Sequence, residues 1–180
     1  MKQKKATIDD VIASIYDKNK RFKAAKVFAG YESQFIVNKG SHERHHVYAG
    51  GLNDHVVLTA LICYAELKSF PPELALLYNF DDVIISVLFH DFDKIGMYDG
   101  QEPAFSGMDE VIEMLADEGL LNGDVTDGIT HSHGGFRQDG EEHGKTSILV
   151  HHADMLASSV FKNPEETGKM IEALSKYMLE

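Results

Sequence analysis

The chain has 180 residues, of which 43% are hydrophobic, and carries a formal net charge of −12 at pH 7. This length suits one domain with a buried core, and the negative charge disfavours a nucleic-acid partner while leaving small phosphorylated ligands open. The single cysteine fits a reducing compartment, and no segment is long and apolar enough to span a membrane. We therefore expect one cytoplasmic domain over residues 1–180, with no membrane partner.

Helical patterns dominate the first part of the chain. TIDDVIASIYD begins with Thr7 as an N-cap and has Asp10 three residues later, which is typical of a capping box. Residues 28–47 lack a clean period and predict a connection that carries functional side chains. After Gly50 and Gly51, LNDHVVLTALICYAEL has apolar residues at helical spacing and predicts a buried helix.

Helices are also predicted in the middle of the chain. Pro71 and Pro72 begin a short helical segment, and Asp81 or Asp82 caps the apolar helix VIISVLFH. MDEVIEMLADEGLL is amphipathic and ends at Gly119.

Two further helices complete the prediction. GKTSILVHHADMLASSVF has helical spacing, and Asn163 with Pro164 caps EETGKMIEALSKYML. Nothing predicts an alternating strand with a hairpin turn. We therefore predict an all-α fold.

The segment LFHDFDKIG places His90 and Asp91 side by side at the end of a helix. Consecutive helical residues point about 100° apart, so two neighbours share a ligand more easily from a helix end. His55 lies one turn into another helix, and Asp154 follows His151 by three residues on a third. Imidazole and carboxylate groups together suit divalent metal ions, so these helices offer ligands for one.

Three strings in this order resemble a known family. HHVYAGGLNDHV is similar to the HHxxxGGLxxH element of HD-domain metal-dependent phosphohydrolases, and HDFDKIG to their HDxxKxG signature. VHHADMLAS resembles the late helix that carries their final aspartate, so the resemblance covers roughly residues 42–160. It implies a single compact helical HD-domain bundle that binds Mn, Co, Zn, Fe, Ni or Mg. The implied metal ligands are His55, His90, Asp91 and Asp154, with Lys94 as the lysine after the HD pair.

THSHGG is similar to the HHG element of family members that hold a second metal ion. The resemblance makes His131 and His133 candidate ligands for that ion. Those members usually have a further histidine before this element, but residues 95–130 contain none. We therefore expect one tightly bound ion and a second, weaker one.

The resemblance also implies the reaction, which is hydrolysis of a phosphate ester or anhydride of a small nucleotide, as in a nucleotidase or a dNTP triphosphohydrolase. Asp91 would position the attacking water or bridge two ions, and His131 would protonate the leaving oxygen. Lys94 and Arg44 are candidates for neutralising the phosphate oxygens. His46 and Lys145 are further candidates for substrate binding.

Other functions stay open at the level of the sequence. A 3'-5' exonuclease or cyclic-nucleotide phosphodiesterase of the HD type shares the same motifs. A di-iron oxygenase of the HD fold would need extra histidines, and a non-catalytic nucleotide sensor would not need an intact ligand set. The sequence leaves the oligomeric state open, including a homo-oligomer.

Overall fold

The computed structural model describes residues 4–98, 100, 102–132, 143–160 and 163–179. Within these residues the chain forms helices and no β-strand, so the predicted all-α fold is confirmed. The helices are α1 (Ile8–Ala13), α2 (Lys18–Phe35), α3 (Gly51–Ser69), α4 (Pro72–Ala75), α5 (Phe80–Phe89), α6 (Met108–Asp117), α7 (Gly123–Thr130), α8 (Lys145–Val160), α9 (Pro164–Leu174) and α10 (Lys176–Leu179), with a 3₁₀ turn at Phe92–Lys94. None of the described helices combines the length and apolar character that crossing a membrane requires.

α3 lies at the centre of the fold. It contacts α1, α5, α8, α9 and α10, and α5 and α8 also contact each other. Of the predicted apolar stripe, Leu52, Val56, Thr59 and Cys63 are fully buried along α3, and Ile62 is partly buried against the core. The three mutually packed helices α3, α5 and α8 frame the site described below.

Several predicted helix ends are confirmed. Thr7 and Asp10 form the capping box of α1, each side chain accepting from the other residue's amide. Asn163 caps α9 by accepting from the Glu166 amide at 2.9 Å. Gly119, just after α6, has a φ of +65°, the left-handed conformation expected of a glycine that ends a helix.

Residues 28–35 are a correction, because the sequence pattern predicted a connection there. They form the last turns of α2, whose apolar residues recur at helical spacing and pack in the core. These residues are Ala24, Val27, Phe28, Tyr31 and Phe35. Gly30 lies on the exposed side of α2, where a Cβ would have nothing within 4 Å. The glycine therefore marks no break, and the connection begins only after Phe35.

The start of α5 is a second correction. The N-cap is Asn79, rather than Asp81 or Asp82, and its side chain accepts from the Asp81 amide at 3.1 Å. Both aspartates instead contact residues 16–20, near the start of the chain. Asp81 accepts from two backbone amides between α1 and α2, at 2.7 and 2.8 Å, and Asp82 pairs with Lys20 at 2.7 Å. Long-range contacts, which the local sequence does not reveal, take these carboxylates away from the cap.

α7 lies in a part of the chain to which the sequence pattern assigned no helix. Asn122 caps it by accepting from the Val125 amide at 2.9 Å. Gly128 interrupts its apolar face, and a Cβ at this position would overlap Ser86 Oγ on α5. The glycine that hides the helix in the sequence is therefore the residue that lets α7 pack closely against α5.

Candidate metal centre

Four side chains from α3, α5 and α8 converge in the interior. His55 Nε2 lies 3.0 Å from Asp154 Oδ1, 3.3 Å from Asp91 Oδ2 and 3.3 Å from His90 Nε2. His90 Nε2 lies 3.7 Å from Asp91 Oδ1 and 3.8 Å from Asp154 Oδ1. Asp154 is 5% exposed and the other three are fully buried. We call these four residues the HHDD cluster, and the convergence that the sequence pattern predicted is observed.

The spacing of these donor atoms suits a first-row divalent ion. With bonds of about 2.0 to 2.2 Å, neighbouring ligand atoms on one ion lie about 3 Å apart at right angles and about 3.4 Å apart at tetrahedral angles. The separations of 3.0 to 3.8 Å in the HHDD cluster bracket these values. His55, His90 and Asp91 form a buried group that could hold a metal ion.

The helix end explains how His90 and Asp91 reach the same point. His90 is the last residue with helical dihedral angles on α5, whereas Asp91 has a φ of −115° and leaves the helix. His90 Nδ1 donates to the Val87 carbonyl at 2.7 Å, so Nε2 carries the lone pair that faces the cluster. The ring is therefore oriented for metal binding by its own helix.

Aromatic rings pack beneath this turn. The ring of Phe92, which directly follows Asp91, is fully buried, and its centroid lies 4.9 to 6.4 Å from five described neighbours. These neighbours are Phe28, Tyr31, Phe35, Phe89 and Phe105. α2 thus supports the turn that carries the ligands, in a region where the sequence pattern predicted only a connection.

Asn38 connects this turn to the start of α3. It is fully buried, and its Oδ1 accepts from the Gly96 amide at 2.9 Å. Its backbone carbonyl accepts from the Leu52 amide at 3.0 Å. Gly96 has a φ of +84°, a conformation that favours glycine, so the end of HDFDKIG is fixed by a specific backbone requirement.

Lys94 lies against the cluster. Its Nζ is 2.6 Å from Asp91 Oδ1, and the side chain is 17% exposed. Burial lowers the pKa of Lys94, but the attraction of the Asp91 carboxylate outweighs this effect and raises the pKa above its usual value. Lys94 therefore stays a cation next to the cluster.

The double glycine before α3 lets the preceding loop lie directly against the helix. Gly50 has a φ of +82°, and a Cβ on Gly51 would overlap the backbone carbonyl oxygen of His46. His46 itself has a φ of +50° and is fully buried. HHVYAGGL is therefore a single packed unit that places His45 and His46 beside His55.

The three histidines of this unit form a second group. The ring centroids of His45 and His46 each lie 5.2 Å from that of His55, and the two Nδ1 atoms of His45 and His46 lie 3.3 Å apart. Burial, together with the nearby His55, lowers the pKa of His45 to about 4 and the pKa of His46 to about 3. Both rings are thus neutral near pH 7.

The sequence pattern offered His46 only as a substrate-binding residue and did not suggest His45 as a metal ligand. The two adjacent histidines were the signal in the sequence that could have indicated this group.

A cavity of about 320 Å³ opens beside the HHDD cluster. Its described lining residues are Arg44, His45, Lys94, Asp154, Met155, Ser158 and Ser159. Arg44 and Lys94 give this cavity two cationic side chains, as the sequence pattern predicted for substrate binding. Ser158 Oγ donates to Asp154 Oδ1 at 3.1 Å, so α8 also orients the cluster's last carboxylate.

The remaining predicted site residues lie elsewhere or outside the described part of the chain. His131 Nδ1 is 3.0 Å from Asp127 Oδ1, and its ring packs at 5.0 Å from that of His143. Lys145 Nζ pairs with Asp124 Oδ2 at 3.2 Å. Neither His131 nor Lys145, nor the buried His46, is among the described residues that line the cavity. His133 lies outside the described residues, and its role as a ligand stays a prediction.

No protein-family model matches the chain, and the comparisons with curated proteins and with solved structures also give no match.

Proposed function

We propose that this protein is a divalent-metal-dependent phosphohydrolase that acts on a phosphate ester or anhydride of a small nucleotide. The observation that carries the proposal is the buried HHDD cluster, in which the two histidine Nε2 atoms lie 3.0 to 3.8 Å from the carboxylate oxygens and 3.3 Å from each other. The proposal places the chain with the HD-domain phosphohydrolases that its motifs resemble. Cytoplasmic location belongs to the same proposal.

The composition of the cluster supports a resident metal ion. Two imidazoles and two carboxylates are a mixed donor set that suits Mn, Fe, Co, Ni and Zn. Two carboxylates in one buried site are stabilised by a nearby cation, and Lys94, which pairs with Asp91, lies at the edge of the same site. A bound divalent ion would supply Lewis acidity for the hydrolysis of a phosphate ester.

The residues around the cavity support an anionic substrate. Arg44 and Lys94 line it, although the chain as a whole carries a net charge of −12. Guanidinium and ammonium groups both donate strong hydrogen bonds to phosphate oxygens, so this pair would bind the phosphoryl group next to the cluster. Asp91, which Lys94 contacts, would then accept a proton or orient the attacking water.

The size of the cavity supports a small substrate. A volume of about 320 Å³ lies at the lower end of the range of about 300 to 1,000 Å³ that is typical of ligand pockets. This favours a mononucleotide over a longer nucleic acid. His131 keeps the predicted role of proton donor only as a hypothesis, because the described geometry places it against Asp127 and outside the cavity lining.

The proposal is tested by phosphate release from mono-, tri- and cyclic nucleotides in the presence of Mn²⁺, Co²⁺, Mg²⁺ or Zn²⁺. We expect turnover of at least one nucleotide that stops when a chelator is added. Asp154→Asn should lower kcat/KM by more than about 100-fold, because it removes an anionic donor from the cluster.

Asp124→Asn is the matched control, since it makes the same chemical change at a partly exposed carboxylate that pairs with Lys145. Its activity should stay within about twofold of the parent. Equal activity of the parent and Asp154→Asn across the whole panel would refute the hydrolase assignment.

A further inference from the structure

The described residues contain two groups of potential metal ligands, and the second is not explained by the HHDD cluster. One group contains His55, His90 and Asp91; the other contains His45, His46 and His55. In each group the ligand atoms all lie within 4.8 Å of one another, and His55 is the residue that the groups share. Ligand atoms on opposite sides of one ion lie about 4.2 Å apart, so three donors within 4.8 Å of one another are close enough to surround an ion. The second group is a candidate position beside the HHDD cluster, because among the described residues His45 and His46 share no such group with His90 or Asp91.

Two buried nitrogen atoms of the second group have no hydrogen-bond partner among the described residues. These atoms are His46 Nε2 and His55 Nδ1, and both side chains are fully buried. Buried polar atoms in native proteins nearly always have a partner, so each unsatisfied atom needs an explanation. A cation between the rings would supply the missing partner for both atoms at once.

The geometry around these atoms suits a cation. Each of the three histidines can offer one ring nitrogen, and these three atoms lie within 4.8 Å of one another. The Nδ1 atoms of His45 and His46 lie 3.3 Å apart and can share a hydrogen bond, which leaves His46 Nε2 as the nitrogen available to a cation. The carboxylates of Asp91 and Asp154 act electrostatically on both rings, which places negative charge beside the position. The packing of Gly51 against the His46 carbonyl fixes the loop, so the rings are held in place before any ion binds.

We propose that His45, His46 and His55 form a second cation position, in which His55 bridges to the HHDD cluster through its two ring nitrogens. His55 Nε2 faces the cluster, and Nδ1, which has no described hydrogen-bond partner, would bind the ion at the second position. Because a neutral imidazole carries one ring proton, filling both positions releases that proton from His55 to solvent. Three imidazoles select Zn²⁺, Co²⁺, Ni²⁺ or Cu²⁺ over Mg²⁺. This inference rests on the proposed function in one respect: it takes the metal ion in the HHDD cluster from that proposal.

The test is the number of ions bound per chain. Chelator-treated protein is dialysed against micromolar Co²⁺ or Zn²⁺, and bound metal is counted by mass spectrometry. The parent should bind two ions, and His45→Asn and His46→Asn should each bind one. Asparagine at position 46 is chosen because it tolerates the φ of +50° observed there.

Two further variants separate this inference from the proposed function. His42→Asn is the matched control, because His42 lies in the same loop with its side chain 75% exposed, and it should still bind two ions. Asp154→Asn should lose the first ion and keep the second.

Each result decides between the two proposals. If His45→Asn and His46→Asn both still bind two ions, the second position is refuted. It is also refuted if the parent binds a single ion that only Asp154→Asn removes. The hydrolase proposal would stand in both cases. A single ion that only the two histidine variants remove would keep the second position and refute the first. No bound ion in the parent would overturn both.

Discussion

Two regions of this protein pair histidine with aspartate, and they do so in different ways. In the HHDD cluster the donors come from α3, α5 and α8, far apart along the chain, and three of the four are fully buried. At the end of α7, His131 contacts Asp127 four residues earlier on the same helix, and the His131 side chain is 25% exposed. The first arrangement requires the whole fold, whereas the second requires only one helical turn.

The comparison shows why the number of histidines is a poor guide to a metal site. The His131–Asp127 pair forms across one turn of α7, and Asp127 also accepts from the Ser147 amide at 3.3 Å, so this carboxylate has partners without an ion. The buried cluster places two carboxylates against two imidazoles, an arrangement that is costly without a cation. The predictions below test this difference, beginning with the largest expected effect.

Asp91→Asn and Asp127→Asn make the same chemical change in the two regions. We expect Asp91→Asn to weaken Mn²⁺ or Co²⁺ binding by more than about 100-fold and to abolish phosphate release, because it replaces an anionic donor and leaves Lys94 without its partner. Asp127→Asn should keep the affinity within about twofold. Isothermal titration calorimetry measures the metal affinity of both variants. Similar losses of affinity in the two variants would contradict the distinction between the regions.

Gly51→Ala tests whether the loop that carries His45 and His46 is fixed by close packing. A Cβ there would overlap the His46 carbonyl, so we expect a loss of about 3 kcal/mol in the free energy of unfolding. Gly30→Ala is the control, since it lies in α2 with no atom near its Cβ position, and it should stabilise the protein by about 0.5 to 1 kcal/mol. Urea denaturation gives both values, and a neutral Gly51→Ala would show that the loop moves freely away from α3.

Metal removal tests whether the HHDD cluster is linked to folding. An ion present at about 100 times its Kd stabilises the native state by about 2.7 kcal/mol, which corresponds to a Tm increase of about 5 to 10 °C for a chain of this size. We expect a chelator to reverse this increase fully in the parent and in Asp127→Asn, but to have a smaller effect on Asp154→Asn, which keeps only the ion of the second position. A thermal scan followed by circular dichroism measures the shift; a parent whose Tm ignores both metal and chelator would contradict a native-state metal site.

The sequence predicts the cluster better than its surroundings, for a physical reason. His55 and Asp154 lie on α3 and α8, and His90 and Asp91 directly follow the apolar helix α5, so helical periodicity together with the HD motif predicts that they meet in one interior. α2 and α7 were missed because glycines interrupt their patterns, at Gly30 on an exposed face and at Gly128 in a close helix contact.

Long-range contacts account for the other errors. The N-cap of α5 was assigned to the wrong residues because Asp81 and Asp82 are used by the segment between α1 and α2 and by Lys20. The burial of His46 depends on Gly51 and on a φ of +50°, neither of which a residue pattern reveals. What the sequence predicts is which helix face is buried, and what it misses is which loop packs against that face.

Arg44→Gln and Lys145→Gln give the smallest expected effects and compare one cation from each region. Arg44 lines the cavity beside the cluster, so its loss should raise the KM for a phosphate ester about tenfold, or about 1.4 kcal/mol, by removing a charge-assisted hydrogen bond to the phosphate. Lys145 is 40% exposed and pairs with Asp124, a surface interaction worth about 0 to 1 kcal/mol, so its loss should change KM less than about twofold. Steady-state kinetics on both variants separates the alternatives: a larger effect from Lys145 would place the substrate near the first turns of α7 and α8, away from Arg44.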